Sequence, residues 1–260
     1  MSIAPFNLQW TLTFEEEFDG PVGSAPSPHL WGRELGGGGF GNHELQSYTD
    51  GNRNAFLDGK GNLVIEARQE MVTGEDGITA SYSSARLSTK GRFSQTYGKF
   101  EARMKIPRGQ GVWPAFWMLG DSIDEIEWPD CGEIDIMESI GSVPTILYGT
   151  LHGPGYCGGQ NLQGRYELHE PLSEKFHTYG VEWEPGQIRW YFDGELYSTI
   201  SREDVADRSW PFDRPFFILM NLAIGGDWPG VPDATTTFPQ RLVVDYVRVW
   251  SLSRYEPPVE

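Results

Sequence analysis

The chain is poor in cysteine, with only Cys131 and Cys157 among its 260 residues. No Cys-x-x-Cys pair and no cysteine–histidine spacing typical of zinc binding occurs, so the sequence argues against a zinc-organised fold. The two thiols allow at most one disulfide. The sequence leaves open whether they form it.

Basic residues and long apolar runs are also scarce. The 20 Lys and Arg residues are outnumbered by 37 Asp and Glu residues, which gives a net charge of −17. An acidic protein of this kind is a poor partner for nucleic acid or an anionic membrane, whereas a neutral polymer is compatible with it. No run is long enough to span a bilayer. The first residues also lack the charged and apolar regions of a signal peptide. The protein is therefore either cytoplasmic or secreted with its signal peptide outside this sequence.

Turn-forming and aromatic residues are abundant, with 32 glycines, 18 prolines and 10 tryptophans. Many short runs of alternating apolar and polar residues are separated by turns. In residues 98–106, for example, Phe100, Ala102 and Met104 alternate with charged residues. This pattern predicts an all-β fold of about a dozen strands in two packed antiparallel sheets. Residues 201–207 are the only short helix we expect. No repeat or linker divides the chain, so we predict a single domain, residues 1–260.

Three carboxylates lie close together in the apolar stretch of residues 132–140. Alternate residues of a strand share a face, so Glu133 and Asp135 should point the same way and Glu138 the opposite way. One extra residue, a β-bulge around Ile136 and Met137, would return Glu138 to the face of the other two. The alternative is a surface strand with its acids in water, but the isoleucines of this stretch leave little room for a second solvated face.

Crowded carboxylates have a chemical use. They cannot all ionise freely, so the pKa of at least one should rise and let it donate a proton at neutral pH while a neighbour stays anionic. Glycoside hydrolysis uses such a pair. With the bulge, Glu133 and Glu138 lie roughly 13 Å apart between Cα atoms. Their side chains can lean together to the ~5–5.5 Å of a retaining pair. Asp135 lies between them and can tune both.

Two further segments are candidates for binding. Residues 36–39 are four glycines followed by Asn42 and Glu44, without the Lys-Ser/Thr and helix of a nucleotide loop, so we interpret them as a flexible loop that brings these two side chains to a surface. Trp113 and Trp117 share one face of a strand just before the acids. A tryptophan is by default a core residue, but two on this face favour stacking on a ligand.

Asp245 is unusual because it stands inside an apolar strand, between Val244 and Tyr246. A buried carboxylate needs a partner. A salt bridge to an arginine and a bound metal ion are both compatible with the sequence.

The segment from Glu133 to Glu138 resembles the signature of glycoside hydrolase family 16 in its bulged, laminarinase-type form. Matching flanks extend over nearly the whole chain, including residues 42–48, 84–87, 98–103, 113–120, 152–156 and 221–230. The resemblance implies a β-jelly-roll with a concave substrate cleft and retaining hydrolysis. By position, it makes Glu133 the nucleophile, Glu138 the general acid/base and Asp135 their helper.

The resemblance further implies a secreted, monomeric endo-β-1,3-glucanase acting on laminarin-type β-glucans. Mixed-linkage β-1,3-1,4-glucan, agar and a non-catalytic glucan-binding protein are the alternatives, although binding-only relatives typically lose the acids. Many members of this family also carry a structural calcium, for which the matching ligands are backbone oxygens near Glu17 and Gly61 and the carboxylate of Asp245. The sugar-binding positions implied by the resemblance are Asn42, Arg86, Trp113, Trp117, Trp128, His152 and Trp228.

Overall fold

A computed structural model describes residues 7–255 of the chain. Across that range the only helical segments are short 3-10 turns, one of which, Arg202–Val205, replaces the helix predicted over residues 201–207. In chain order the strands are β1 Asn7–Glu16, β2 Gly32–Glu34, β3 Gln46–Tyr48, β4 Ala55–Leu57, β5 Leu63–Thr73, β6 Thr79–Ser84, β7 Arg86–Ser88, β8 Gly98–Lys105, β9 Val112–Gly120, β10 Glu133–Glu138, β11 Ile146–His152, β12 Leu162–Glu167, β13 His177–Glu184, β14 Gln187–Phe192, β15 Glu195–Ser201, β16 Phe216–Ile224 and β17 Gln240–Tyr255.

These strands form two sheets. The larger runs β15-β14-β13-β8-β17-β5-β6-β3, with β1 paired to β17 and β4 paired to β5. The smaller runs β12-β11-β10-β9-β16-β7-β2. Within the described residues the strand pairs are antiparallel, apart from the parallel pair β3–β6. The predicted all-β jelly-roll sandwich is confirmed, with more strands than expected. No helix of residues 7–255 has the length and apolar character needed to cross a membrane.

A shared hydrophobic core lies between the sheets. It takes Phe100, Ala102 and Met104 from β8 and every second residue of β16. The other face of β16 is apolar too, because Phe217 and Leu219 form a second cluster with Cys131 on the outer side of the smaller sheet. This explains why residues 216–224 are almost continuously apolar, since both faces of that strand are covered.

The predicted bulge is present in β10. Asp135 and Glu138 pair with Thr150 and Tyr148 of β11, so three steps on β10 match two on β11. The pairing of β10 with β9 shifts at the same place. Ile136 and Met137 are both buried in the shared core. Because both point inward, Glu138 comes back to the outer face with Glu133 and Asp135.

The structure differs from the sequence prediction in several details. Strand β12 was not foreseen, because its residues are only half buried in an alternating pattern and its sequence carries few apolar side chains. The sequence pattern predicts a last strand over residues 242–250, whereas β17 spans Gln240–Tyr255. Cys131 and Cys157 are free thiols, which closes the question of a disulfide between them.

Candidate active site

The outer face of the smaller sheet, called here the site face, gathers the three acids and their neighbours. Side chains of residues paired across strands point to the same side of a sheet. Asp135 pairs with Trp117 of β9 and Thr150 of β11. Glu133 pairs with His152, so the predicted histidine lies beside the first acid. The register therefore brings the acids into one row with residues from both adjacent strands.

Two tryptophans hold the two outer carboxylates. The indole N–H of Trp128 donates a hydrogen bond of 2.7 Å to Oε2 of Glu133. The indole N–H of Trp113 donates one of 3.0 Å to Oε1 of Glu138. Each carboxylate is thereby held from its own side of the row by an indole N–H.

His152 is buried next to Asp135 and has a defined tautomer. The backbone N–H of Gly158 donates a hydrogen bond of 3.1 Å to Nδ1 of His152. An amide N–H can only donate, so Nδ1 is the acceptor and the ring proton sits on Nε2. That nitrogen lies 3.2 Å from Oδ2 of Asp135 and 4.0 Å from Oε1 of Glu133. The histidine therefore presents a proton to the central acid and its neighbour.

Burial raises the pKa of all three acids. Removal from water is the largest cause in each case, because it disfavours the charged form. The pKa of Glu133 rises to about 8, with the charge of Asp135 as the second cause. The pKa of Glu138 rises to about 7, while that of Asp135 is raised by burial and by the charge of Glu138. The predicted raised pKa is confirmed, and the cluster can hold a proton at neutral pH.

Trp117 lies on the same face, towards β7. Its indole N–H donates a hydrogen bond of 2.8 Å to Oδ1 of Asn221. The guanidinium of Arg86 lies over its ring at 4.7 Å and pairs with Glu34 at 2.8 Å. The predicted residues Arg86 and Trp117 are therefore in direct contact. Trp117 stands on β9 beside β10, and Arg86 stands on β7, roughly 14 Å or three strand spacings from β10.

Two rims border the site face. Trp128 lies in the segment between β9 and β10, and this residue is 44% exposed. At the other ends of these strands, residues 36–45 carry Asn42 and residues 225–230 carry Trp228. The backbone N–H of Asp227 donates a hydrogen bond of 2.9 Å to the carbonyl of Asn42, which joins these two segments. Trp228 packs edge-on against Trp113 at 5.4 Å between ring centroids. All seven predicted sugar-binding residues thus belong to this face or its rims.

The sequence reasoning missed three residues of the site. Tyr148 pairs with Glu138 and its ring packs on Trp228 at 5.0 Å. Thr150 pairs with Asp135. A signal for both existed, since Tyr148, Thr150 and His152 alternate along one strand. Asn221 supports Trp117, and its sequence signal was that it is the single polar residue of an apolar strand.

The residues predicted to bind calcium lie on the larger sheet, away from the acids. Val247 of β17 pairs with Glu16 and Val244 with Leu63, which places Glu17 and Gly61 beside the segment around Asp245. Gly61 is close to Glu17, because a Cβ added to Gly61 would lie 3.8 Å from the carbonyl oxygen of Glu17.

The sequence context of Asp245 suggested a buried carboxylate, but the side chain is not enclosed. Its side chain is 33% exposed, and its Oδ2 lies 2.5 Å from Nη1 of Arg103. The salt bridge that the sequence left open is therefore formed. The backbone oxygens and the carboxylate still suit a hard cation chemically, because calcium takes carbonyl and carboxylate oxygens.

The arrangement places two glutamates on one strand face, together with a third acid and a histidine. One glutamate can attack the carbon of a bond while the other protonates the departing oxygen. The glutamates are fixed by tryptophans, whose indole faces also suit the C–H faces of sugar rings. No cofactor is needed for such a reaction.

Comparison with known proteins agrees with this chemistry. Residues 43–248 match Glycosyl hydrolases family 16. A β-glucanase of Rhodothermus marinus is 43% identical over 253 residues, covering 93% of this chain and 85% of that protein. The glucan endo-1,3-β-glucosidase A1 of Niallia circulans is 35% identical over 269 residues, covering 96% of this chain and 38% of that protein. The crystal structure of the laminarinase catalytic domain from Thermotoga maritima MSB8 is 48% identical, with a TM-score of 0.87 over 93% of this chain and 98% of that chain. This chain belongs to glycosyl hydrolase family 16.

Proposed function

We propose that the protein is a retaining endo-β-1,3-glucanase that hydrolyses internal bonds of laminarin-type β-glucans. One observation carries the proposal: the bulge in β10 aligns Glu133, Asp135 and Glu138 on one face, and tryptophans hold the outer two. The names of the relatives, a β-glucanase, an endo-1,3-β-glucosidase and a laminarinase, support the substrate class.

In the first step Glu133 attacks the anomeric carbon and Glu138 gives its proton to the departing glycosidic oxygen. The carbon–oxygen bond breaks as the glycosyl–enzyme bond forms. A pKa of about 7 leaves Glu138 enough proton at neutral pH to act as the acid. Glu133 must be anionic to attack, and the positive charge that develops on the sugar favours its ionised form.

In the second step Glu138, now ionised, removes a proton from water, and the water oxygen attacks the same carbon. Two inversions restore the original configuration. Asp135 stays between the two glutamates, beside Nε2 of His152. Its role is to tune the proton exchange of its neighbours, because a charge at this position opposes a second and third charge in the row.

The test is product analysis of the purified protein on laminarin, lichenan, carboxymethylcellulose and agarose. We expect laminarin to give short oligosaccharides whose first-formed reducing ends are β anomers by NMR. Release of sugars from lichenan alone or agarose alone would instead favour the mixed-linkage or agar alternative. Absence of turnover with retained glucan binding would support the non-catalytic alternative.

The two glutamate roles separate by rescue with azide and an activated β-glucoside. In Glu133→Ala, azide replaces the nucleophile and gives an α-glycosyl azide after one inversion. In Glu138→Ala, the glycosyl–enzyme still forms and azide gives a β-glycosyl azide. The opposite pair of products would exchange the two roles.

We also propose that the protein acts outside the cell as a monomer, with residues 1–260 as one catalytic domain. A glucan polymer is too large to enter a cell before it is cut, and a charge of −17 keeps copies of the chain apart. The hydrophobic core shared by the two sheets supports one domain. The same charge disfavours nucleic acid and anionic membranes as partners.

Finally, we propose a structural calcium ion held by the backbone oxygens of Glu17 and Gly61 and by the carboxylate of Asp245. The convergence of β1, β5 and β17 at this point supports it. Such an ion would join three strands and take no part in the reaction.

A further inference from the structure

The tip of the hairpin between β5 and β6, residues 74–78, packs against the glycine-rich segment of residues 36–45 and hydrogen-bonds to it. The carboxylate of Asp76 accepts two backbone hydrogen bonds. Its Oδ2 accepts the N–H of Gly37 at 2.7 Å, and its Oδ1 accepts the N–H of Ile78 in its own turn at 2.9 Å. A Cβ on Gly37 would stand 3.1 Å from the side chain of Ile78, so the tip and the segment are closely packed.

The glycine-rich segment needs such a hold. Its four consecutive glycines lose more backbone freedom on ordering than other residues. Two of its non-glycine residues also adopt the left-handed region, Phe40 with φ of 46° and His43 with φ of 53°. Residues persist in this conformation only where the surrounding structure determines it, and such residues concentrate at ligand clamps. The flexible loop predicted from the sequence is therefore held in one shape by contacts from outside.

The segment in turn holds the rim of the site face. Asn42 accepts the backbone N–H of Asp227, and Nδ1 of His43 lies 2.9 Å from the carboxylate of Asp227. Trp228 follows directly and packs on Trp113, the partner of Glu138. The other end of the segment is fixed by Leu45, whose N–H donates to the carbonyl of Ile224 at 2.7 Å.

Phe40 connects the same segment to the face itself. Its ring packs on Tyr48 at 4.9 Å between centroids and lies under the guanidinium of Arg86 at 5.1 Å. Arg86 is the residue that covers Trp117. A displacement of the segment would therefore reach Asn42, Trp228 and Arg86 together, without touching the three acids.

We propose that Asp76 is a positioning residue for glucan binding, which it serves by fixing the glycine-rich segment and, through it, the rim that carries Asn42 and Trp228. This inference rests on the proposed glucanase function. Asp76 itself lies on an exposed turn and contacts no residue of the acid row. Its effect belongs to substrate binding rather than to bond cleavage.

The experiment compares wild type with Asp76→Ala, Asp76→Asn and the neighbouring Glu75→Ala on laminarin. Loss of the charge-assisted hydrogen bond from Gly37 should raise KM about two- to tenfold in Asp76→Ala and leave kcat within about twofold. Asparagine keeps one of the two acceptor oxygens and should give an intermediate KM. Glu75→Ala removes the same charge from the same turn and should behave as wild type.

Hydrogen exchange of the four proteins without substrate gives an independent readout. We expect Asp76→Ala to lose amide protection in residues 36–45 while the core strands keep theirs. An unchanged KM in Asp76→Ala, with or without a change in exchange, would overturn the positioning role. So would an equal rise of KM in Glu75→Ala. If the wild type does not cleave laminarin, the proposed function fails. Unchanged amide exchange of residues 36–45 in Asp76→Ala would then still reject the claim that Asp76 fixes this segment.

Discussion

Trp113 donates its indole N–H to Oε1 of Glu138 over 3.0 Å. The bond lowers the pKa of Glu138, against the larger opposite effect of burial. A donor to a carboxylate favours its charged form, so this tryptophan sets how readily Glu138 gives up its proton. Trp117 lies four residues further along β9. Its indole N–H donates to Oδ1 of Asn221 rather than to Glu138.

Replacement of Trp113 by phenylalanine should therefore move the alkaline limb of the kcat/KM profile to higher pH. The general acid must be protonated, and that limb reports its pKa in the free enzyme. Loss of one hydrogen bond corresponds to an upward shift of roughly 0.4–1 pH unit. Trp117→Phe is the matched control, with its limb unmoved. A downward shift in Trp113→Phe would mean that Glu138 is not the acid.

Glu133→Gln should lose nearly all turnover and yet gain stability at alkaline pH. The folded-state pKa of Glu133 is raised to about 8, above its ordinary value of 4.5. The neutral carboxyl of Glu133 therefore contributes its full share of the folding stability below pH 4.5. This contribution is lost as the pH rises through 8. Glutamine has no proton to lose. Since 18% of the Glu133 side chain is exposed, we discount the full linkage energy and expect a difference of about 1–3 kcal/mol.

Melting curves of wild type and Glu133→Gln at pH 5 and pH 9 measure this effect. The melting temperature of the variant relative to wild type should increase by a few degrees from the lower to the higher pH. Repulsion among the other acidic residues lowers the melting temperature of both proteins alike, so it cancels in the difference between variant and wild type. A constant difference across the range would mean that Glu133 titrates as it does in water.

Calcium should raise the melting temperature without changing the rate of glucan cleavage. An ion that binds only the folded state stabilises it by mass action. EDTA should therefore lower the melting temperature, and calcium but not magnesium should restore it, because the site offers carbonyl and carboxylate oxygens without strict octahedral geometry. In Asp245→Asn the response should weaken. If EDTA has no effect and Arg103→Met alone destabilises the protein, the salt bridge with Asp245 accounts for this position.

The sequence was sufficient for the fold class and for the acid row, for a physical reason. Alternation along a strand determines which side chains share a face. The break between Asp135 and Glu138 could be proposed because only an extra residue brings Glu138 to the face of the other two acids. The apolar run of residues 216–224 likewise predicts a strand, and β16 spans Phe216–Ile224 because this run is apolar on both faces.

Contacts between distant segments could not be predicted in this way. The tryptophan hydrogen bonds to Glu133 and Glu138, the position of Arg86 over Trp117 and the grip of Asp76 on Gly37 all depend on how loops close over the sheet. Alternation within one strand carries no information about them. The half-buried edge strand β12 was missed because its sequence has too little apolar contrast to reveal a buried face.

Trp117→Ala should lower kcat/KM on laminarin at least tenfold, about 1.4 kcal/mol of transition-state stabilisation. The indole lies across from Asp135, with Arg86 over its ring and its N–H on Asn221. An indole face matches the apolar C–H face of a glucose ring, and binding away from the cleaved bond also drives distortion at that bond, so kcat should fall as well. Loss of a purely structural tryptophan would instead cost ~3–5 kcal/mol of fold stability. Melting and kinetics measured on one sample separate the two roles, with Trp117→Phe as the milder control. A large drop in melting temperature with normal kinetics in the folded fraction would make Trp117 a support for Arg86 and Asn221 and would reject its role as a sugar platform.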